Sequence, residues 1–272
     1  MLKELYLIPL IIYILSYVVF TFKDKKFHKV FTYLVYAGFI CQSIIFLTFL
    51  GIKGLAVPVH IDKFVFFNAW ILMLVVVIFS FFYKVEYILL YITPLVALNL
   101  FIAFFVPHIR IMPIMANTDR VILLTHILLI LIGDSLFALS FIVSLIYIFQ
   151  ERKIKNKKNL KILDMSSGVG YNLELLDNIN YICLKVGFPF ITIGIVMGIY
   201  LSSSLFKTFL VVKPIEIMSL ITWFIYAVLL HERMAKGLRG KRAAVFGIIG
   251  FLLILASLSF SFYFFPAFHG FE

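Results

Sequence analysis

Long uninterrupted runs of apolar residues constrain this sequence more than any other feature. Eight such runs lie near residues 4–21, 30–50, 64–82, 87–106, 121–149, 180–204, 215–231 and 243–265. A helix needs roughly 20 mostly apolar residues to cross a hydrocarbon core of about 30 Å, and the runs are close to that length. The fifth run is long enough to tilt or to project beyond the bilayer. The runs therefore predict eight transmembrane helices.

The composition also indicates an integral membrane protein. Hydrophobic residues make up 64% of the 272 positions and charged residues only 14%, which is too little polar surface to cover a water-soluble globule. Strands of a membrane barrel would alternate apolar and polar residues over about ten positions, and no segment does so. We expect an all-α, polytopic membrane protein with one integral membrane domain over residues 1–272. The first run lacks the flanks of a signal peptide, so we expect it to be retained.

The positions of Lys and Arg predict the orientation, because positively charged short loops stay in the cytoplasm. Eight spans put both termini on one side. If that side is outside, 16 cations lie in cytoplasmic segments and 7 outside. We therefore predict an N-out, C-out protein of the cytoplasmic (inner) membrane, with the polar interval 150–178 in the cytoplasm. After its SSGVG turn, this interval is expected to form a short interfacial helix before the sixth span.

The sequence lacks the motifs of several classes of enzyme and binding protein. There is no nucleotide-binding motif, and Cys41 and Cys183 lie in separate apolar runs, far from any Cys-x-x-Cys spacing. We expect both cysteines to be small apolar packing residues. The formal charge of +11 follows from the predicted topology and from contact with anionic lipid, so we expect no nucleic-acid partner. Coordination rather than enzymatic turnover is the expected chemistry.

Histidines accumulate towards the predicted outer side. His28 lies in a cytoplasmic turn and His231 at the cytoplasmic end of the seventh span, whereas four histidines lie in outer segments or enter from outside: His60, His108, His126 and His269. Imidazole is a common ligand of metals and of haem iron. A site on the outer side is therefore one interpretation of this distribution.

His126 is the histidine that the pattern places inside a span. It follows Arg120 by six residues, which corresponds to about 9 Å along a helix. An ionisable side chain at that depth usually faces the protein interior. The residues alone leave two interpretations open, a hydrogen-bonded packing residue and a metal ligand.

Four further polar residues lie inside the apolar runs. Asp134 follows His126 by eight residues, about 80° further round the helix, so the two share neither face nor depth. Its carboxyl group is either protonated or hydrogen-bonded internally, or it belongs to a proton-handling or ligand site. Asn68, Asn99 and Gln42 are expected to form hydrogen bonds between spans.

Four stretches of the second half resemble a known family. They are THILLILIGDSLFALSFIVSLIYIFQERKIK, LLDNINYICLKVGFPFITIGIVMGIY, EIMSLITWFIYAVLLHERMAKGLRGKRAAVFGIIGF and the final FHGF. Their order and spacing over residues 120–272 resemble the CcsA/HemX type of cytochrome c assembly membrane proteins. The first four spans, residues 1–119, are similar to that family more loosely, through FFNAWILML.

The resemblance implies that the chain handles haem at the outer membrane face. By position, His126 and His269 resemble the two outer iron ligands of the family, and His231 resembles the membrane histidine associated with the access of haem. Two neutral imidazoles from distant segments can clamp a porphyrin from opposite faces, here a non-covalent haem b. Outward cations suited to its propionates are Arg110, Arg120 and Lys213.

One stretch departs from the family pattern. Cytochrome c assembly members have an outer tryptophan-rich segment that closes with a Trp-Asp-Pro-Lys-Glu-like stretch. Here SSSLFKTFLVVKPIEIMSLITW keeps Pro214 and Glu216 but has Val212 and Lys213 in place of the Trp-Asp pair. Three functions stay open: a protein that holds or delivers haem for cytochrome c assembly, with an assembly partner subunit; a HemX-like regulator of haem biosynthesis that acts on a cytoplasmic enzyme; and a small transporter.

Overall fold

A computed structural model describes residues 3–22, 25–53, 58, 60–83, 87–108, 120–155, 172–206 and 214–264. Within these ranges a 3₁₀ turn, Lys3–Tyr6, leads into eight α-helices: α1 (Leu7–Phe20), α2 (Lys25–Lys53), α3 (Ile61–Tyr83), α4 (Tyr87–Phe105), α5 (Arg120–Lys155), α6 (Leu173–Phe206), α7 (Pro214–Ala235) and α8 (Lys241–Phe264). Seven of them, α1 with its 3₁₀ turn through α7, are long and apolar enough to cross a membrane. The prediction of a polytopic helical membrane protein is therefore confirmed for the described residues.

The helices correspond one for one to the apolar runs, because a chain in lipid must pair its backbone groups within itself. The segment predicted as a short interfacial helix leading into the sixth span is helical, and it is continuous with that span as the first part of α6, which begins at Leu173. Its Leu176 and Ile179 are fully buried and pack into the main core, so this segment continues the helix rather than lying beside the bundle.

Consecutive helices run antiparallel, and polar side chains pair across them. The Tyr13 hydroxyl of α1 donates to Oε1 of Gln42 in α2 at 3.0 Å. The amide of Asn68 in α3 donates to Oδ1 of Asn99 in α4 at 3.4 Å, a long hydrogen bond. The expected hydrogen bonds between spans are thus confirmed for these three polar residues.

Helix α5 lies at the centre of the bundle, where it contacts α3, α4, α6 and α8. Its approach to α6 is close because both helices carry glycines at the crossing. A Cβ atom on Gly187 would lie 2.8 Å from the Phe137 ring, and one on Gly133 would lie 2.5 Å from Ile191. Small residues at a crossing let two helix backbones approach closely in a membrane, so this pair forms the scaffold for the site.

The alternating directions of the helices give the bundle two ends. We call the end where α1, α3, α5 and α7 begin the His126 end, and the end where α2, α4, α6 and α8 begin the Arg233 end. Large apolar side chains cover much of the outer surface between them, as expected for contact with lipid, including Leu47, Phe81, Val196 and Phe224. Both cysteines are free thiols within this packing: Cys183 is buried and Cys41 half-buried.

Candidate functional site

His126 lies in the second turn of α5 and packs against two glycines of α6. Its Nδ1 lies 2.8 Å from the carbonyl oxygen of Gly194. A Cβ atom on Gly198, one turn further along α6, would lie 2.8 Å from Cε1 of the imidazole. Only glycine at that position leaves space for the ring, so the two glycines form a notch that holds a half-buried histidine.

The contact with Gly194 determines which nitrogen of His126 is available. A carbonyl oxygen can only accept a hydrogen bond, so Nδ1 carries the hydrogen and donates. In the neutral ring Nε2 then keeps its lone pair, which is the form that binds haem iron. Metal-binding histidines usually donate their other ring hydrogen in this way, which fixes the tautomer and the ring orientation. His126 therefore fits an axial ligand of haem iron.

Two other predicted site residues are described, and they lie apart from each other. Arg120 is exposed at the first residue of α5, at the His126 end. His231 is exposed on α7, near the Arg233 end, so His126 and His231 belong to opposite ends of the bundle. The remaining members of the predicted set lie outside the described residues: His269, Arg110 and Lys213.

A second histidine cluster lies at the His126 end, and sequence reasoning missed its arrangement. The rings of His60 and His108 stack with centroids 3.8 Å apart and planes within 10°. Nδ1 of His108 lies 2.8 Å from Oδ1 of Asp62, a buried carboxylate in the first turn of α3. The only sequence signal was that Asp62 follows His60 by two residues. The contact with His108 depends on how α3 packs beside α4.

Arg233 is one of the 16 cations that the sequence analysis placed in cytoplasmic segments, and its side chain is only 3% exposed. It forms an ion pair with Asp177 of α6 at 2.9 Å and donates to Oδ1 of Asn180. The amide of Asn180 in turn donates to the hydroxyl oxygens of Ser140 and Ser144 in α5, at 2.8 and 2.7 Å. This network joins α5, α6 and α7.

A polar cavity of about 660 Å³ opens beside this network at the Arg233 end. Both acidic and basic side chains line it, at the start of α6 and in the turn between α7 and α8. Its polar lining residues include Asn172, Glu174, Asp177, Tyr181, Arg233 and Arg239. Such a lining suits a polar or charged group better than a lipid tail.

Asp134 follows His126 by two turns of α5. It lies near the hydroxyl of Tyr226, a residue of α7 that is 2% exposed. That hydroxyl has no hydrogen-bond partner within the described part of the chain. The alternatives for Asp134, an internal packing acid or part of a ligand site, both remain predictions.

Comparison with known proteins assigns the chain to a family. A family model described as Cytochrome C assembly protein matches residues 59–265. The chain belongs to this family. It is similar to cytochrome c biogenesis protein CcsA of Heterosigma akashiwo, with 28% identity over 159 residues, which cover 48% of this chain and 49% of that protein.

Two other relatives give shorter alignments at higher identity. CcsA of Mesostigma viride is 38% identical over 81 residues, or 30% of this chain and 27% of that protein. CcsA of Gloeobacter violaceus is 40% identical over 81 residues, or 30% and 24%. The chain thus spans about half the length of these relatives or less.

The range matched to the cytochrome c assembly family contains both described ends of the bundle. His60, His126 and His231 lie inside residues 59–265, as does the Arg233 network. His269 follows the last matched residue. The recognition of a CcsA-type cytochrome c assembly protein from the sequence is therefore confirmed, and the assignment of individual ligands stays a prediction.

Proposed function

We propose that this chain is a haem-binding membrane protein of cytochrome c assembly that holds or delivers haem at the outer membrane face. The observation that carries the proposal is the notch around His126. There the Gly194 carbonyl accepts from Nδ1 and leaves Nε2 to bind iron. Membership of the cytochrome c assembly family supports the same function.

Each predicted site residue has a distinct role in this proposal. His126 and His269 are the two axial ligands of a non-covalent haem b, and exposed Arg120 pairs with a propionate together with Arg110. His231 serves the access of haem from the other side of the membrane. The iron supplies the redox chemistry when haem is bound, while the chain binds the macrocycle, orients it and excludes water. No enzymatic turnover is part of this function.

The proposed orientation is N-out and C-out in the cytoplasmic membrane. It puts the His126 end outside and the Arg233 end in the cytoplasm, since the excess of Lys and Arg lies in segments at the latter end. An assembly partner with an extracytoplasmic domain would then meet the haem at the His126 end.

The haem spectrum of the purified protein tests this function. We expect a low-spin bis-histidine spectrum in wild type that is lost in His126→Ala and in His269→Ala. His28→Ala, at the opposite end of the bundle, is the matched control and should keep the spectrum. A folded wild-type protein that binds no added haem would reject the proposal.

A second candidate function is that of a HemX-like regulator of haem biosynthesis. The mixed-charge cavity at the Arg233 end favours it, because such a surface suits the polar surface of a cytoplasmic enzyme. Arg239→Glu changes the charge of this cavity and leaves the His126 end untouched. The regulator hypothesis predicts altered levels of haem precursors in Arg239→Glu cells and normal levels in His126→Ala cells, and the haem-holding function predicts no such difference.

A further inference from the structure

The histidine cluster at the His126 end has the features of a ligand site of its own. We propose that His108 is a second imidazole ligand for the iron of a porphyrin, separate from His126, and that Asp62 and His60 are its positioning residues. The inference rests on the proposed function only in that haem is the molecule bound. The proposed function, with His126 and His269 as the axial ligands, gives no role to His108, Asp62 or His60.

Asp62 fixes the tautomer of His108. Its side chain is 2% exposed, and Oδ1 lies 2.8 Å from Nδ1 of the imidazole. A carboxylate can only accept a hydrogen bond, so Nδ1 donates and Nε2 of the neutral ring keeps its lone pair. A carboxylate in this position also fixes the ring orientation and strengthens the imidazole as an iron ligand. The start of α3 favours the carboxylate charge, because the helix dipole is positive there.

His60 restrains the same ring from its face. The two imidazoles stack at 3.8 Å and 10°, so rotation of His108 would break both the stacking and the bond to Asp62. Half of the His108 side chain, 50%, remains exposed. A histidine held by two neighbours and still accessible is prepared to bind a ligand without further ordering.

Iron within a porphyrin is the ligand class that fits. No group of three or more His, Cys, Asp or Glu side chains in the described ranges could hold a bare metal ion. Porphyrin iron already has four ring nitrogens and needs only one or two protein ligands. The ammonium group of Lys3 donates to the carbonyl of Val106, two residues before His108, which brings a cation for a propionate to the same place.

Titration of the purified full chain with ferric haem in detergent tests this inference. We expect wild type to bind two equivalents and His126→Ala to keep one, with the spectrum of a single imidazole ligand. The double variant His126→Ala, His108→Ala should lose that remaining spectrum. The double variant His126→Ala, His28→Ala controls for binding to any accessible histidine and should keep it.

A milder variant separates ligation from folding. Asp62→Asn preserves an oxygen that accepts from Nδ1 but removes the charge, so in the His126→Ala background the bound haem should remain and its reduction potential should rise. An unchanged potential in Asp62→Asn, or an unchanged spectrum in the His126→Ala, His108→Ala protein, would overturn the inference. A failure of the proposed function gives a different result. Wild type would then bind one equivalent of haem, and His108→Ala would remove it.

Discussion

His126 is held so closely against α6 that a single methyl group tests its role. In Gly198→Ala the new Cβ would lie 2.8 Å from Cε1 of the imidazole, so the ring must rotate and release the Gly194 carbonyl. We expect the bis-histidine spectrum to weaken or disappear, and the free energy of unfolding to fall by about 1–3 kcal/mol, the usual cost of overpacking. Haem titration and unfolding by SDS in mixed micelles measure the two effects.

The same helix crossing provides the control. In Gly187→Ala the added Cβ would lie 2.8 Å from the Phe137 ring, at the same interface and equally close, but without touching His126. We expect a similar loss of stability with an unchanged haem spectrum. Equal spectra in Gly187→Ala and Gly198→Ala would mean that the notch does not orient an iron ligand.

Two buried tyrosines differ in the hydrogen bonds of their hydroxyl groups. The Tyr13 hydroxyl donates to Gln42, whereas the Tyr226 hydroxyl has no partner among the described residues. Tyr13→Phe should therefore lower the free energy of unfolding by about 1–2 kcal/mol, since it leaves Oε1 of Gln42 without its donor. Tyr226→Phe should be neutral or stabilising. A comparable loss in both variants, measured by SDS unfolding, would indicate that Tyr226 has a partner such as a buried water.

At the scale of single residues, the sequence predicts that a polar side chain in a span has a hydrogen-bond partner, but it does not predict which residue that partner is. A polar side chain in a membrane needs a partner, so hydrogen bonds of Gln42, Asn68 and Asn99 were predictable. The pair of Asp62 and His108 was not, because it joins residues 46 positions apart and depends on the register between two helices. The burial of an amphipathic cation such as Arg233 depends on packing in the same way.

The Arg233 network acts at the scale of helices. Arg233 of α7 bonds to both the carbonyl oxygen and the carboxylate of Asp177 in α6, and that carboxylate also accepts from the backbone N–H of Gly240 before α8. The guanidinium lies 5.2 Å from the Tyr181 ring centroid. One ion pair thus fixes three consecutive helices at the Arg233 end.

Removing one partner of this buried pair should be costly. Arg233→Met leaves the Asp177 carboxylate uncompensated, and we expect a loss of about 3–5 kcal/mol in the free energy of unfolding. The double variant Arg233→Met, Asp177→Asn removes the stranded charge and keeps an acceptor for the Gly240 N–H, so it should recover part of that loss. A double-mutant cycle in SDS measures the coupling, and additive losses would show that the pair contributes nothing.

The helices were the part of the fold that the sequence predicted best. Apolar runs give their number, because a span has a minimum length and must pair its own backbone groups. Their ends are less certain where polar residues continue the helix. The polar residues Glu174, Asp177 and Asn178 indicated a separate interfacial helix, but Leu176 and Ile179 between them are buried and the segment is continuous with α6.

For the whole molecule, orientation decides which end can meet an extracytoplasmic partner. The sequence predicts it only through the distribution of cations, since the helix packing is the same in either orientation. Helix α5 is the best reporter. Its 36 residues correspond to about 54 Å, more than the roughly 40–45 Å of a whole bilayer, so both of its ends reach water.

Cysteines at the two ends of α5 would establish the orientation. Arg120 and Lys153 are both exposed, and Cys41 and Cys183 can be replaced by alanine to give a background without thiols. In intact spheroplasts a membrane-impermeant maleimide should label Arg120→Cys at once and Lys153→Cys only after permeabilisation. The two sites share one helix and similar exposure, so reagent access alone separates them. The reverse pattern would put His126 on the cytoplasmic side, and haem held there could not be offered to an extracytoplasmic apocytochrome.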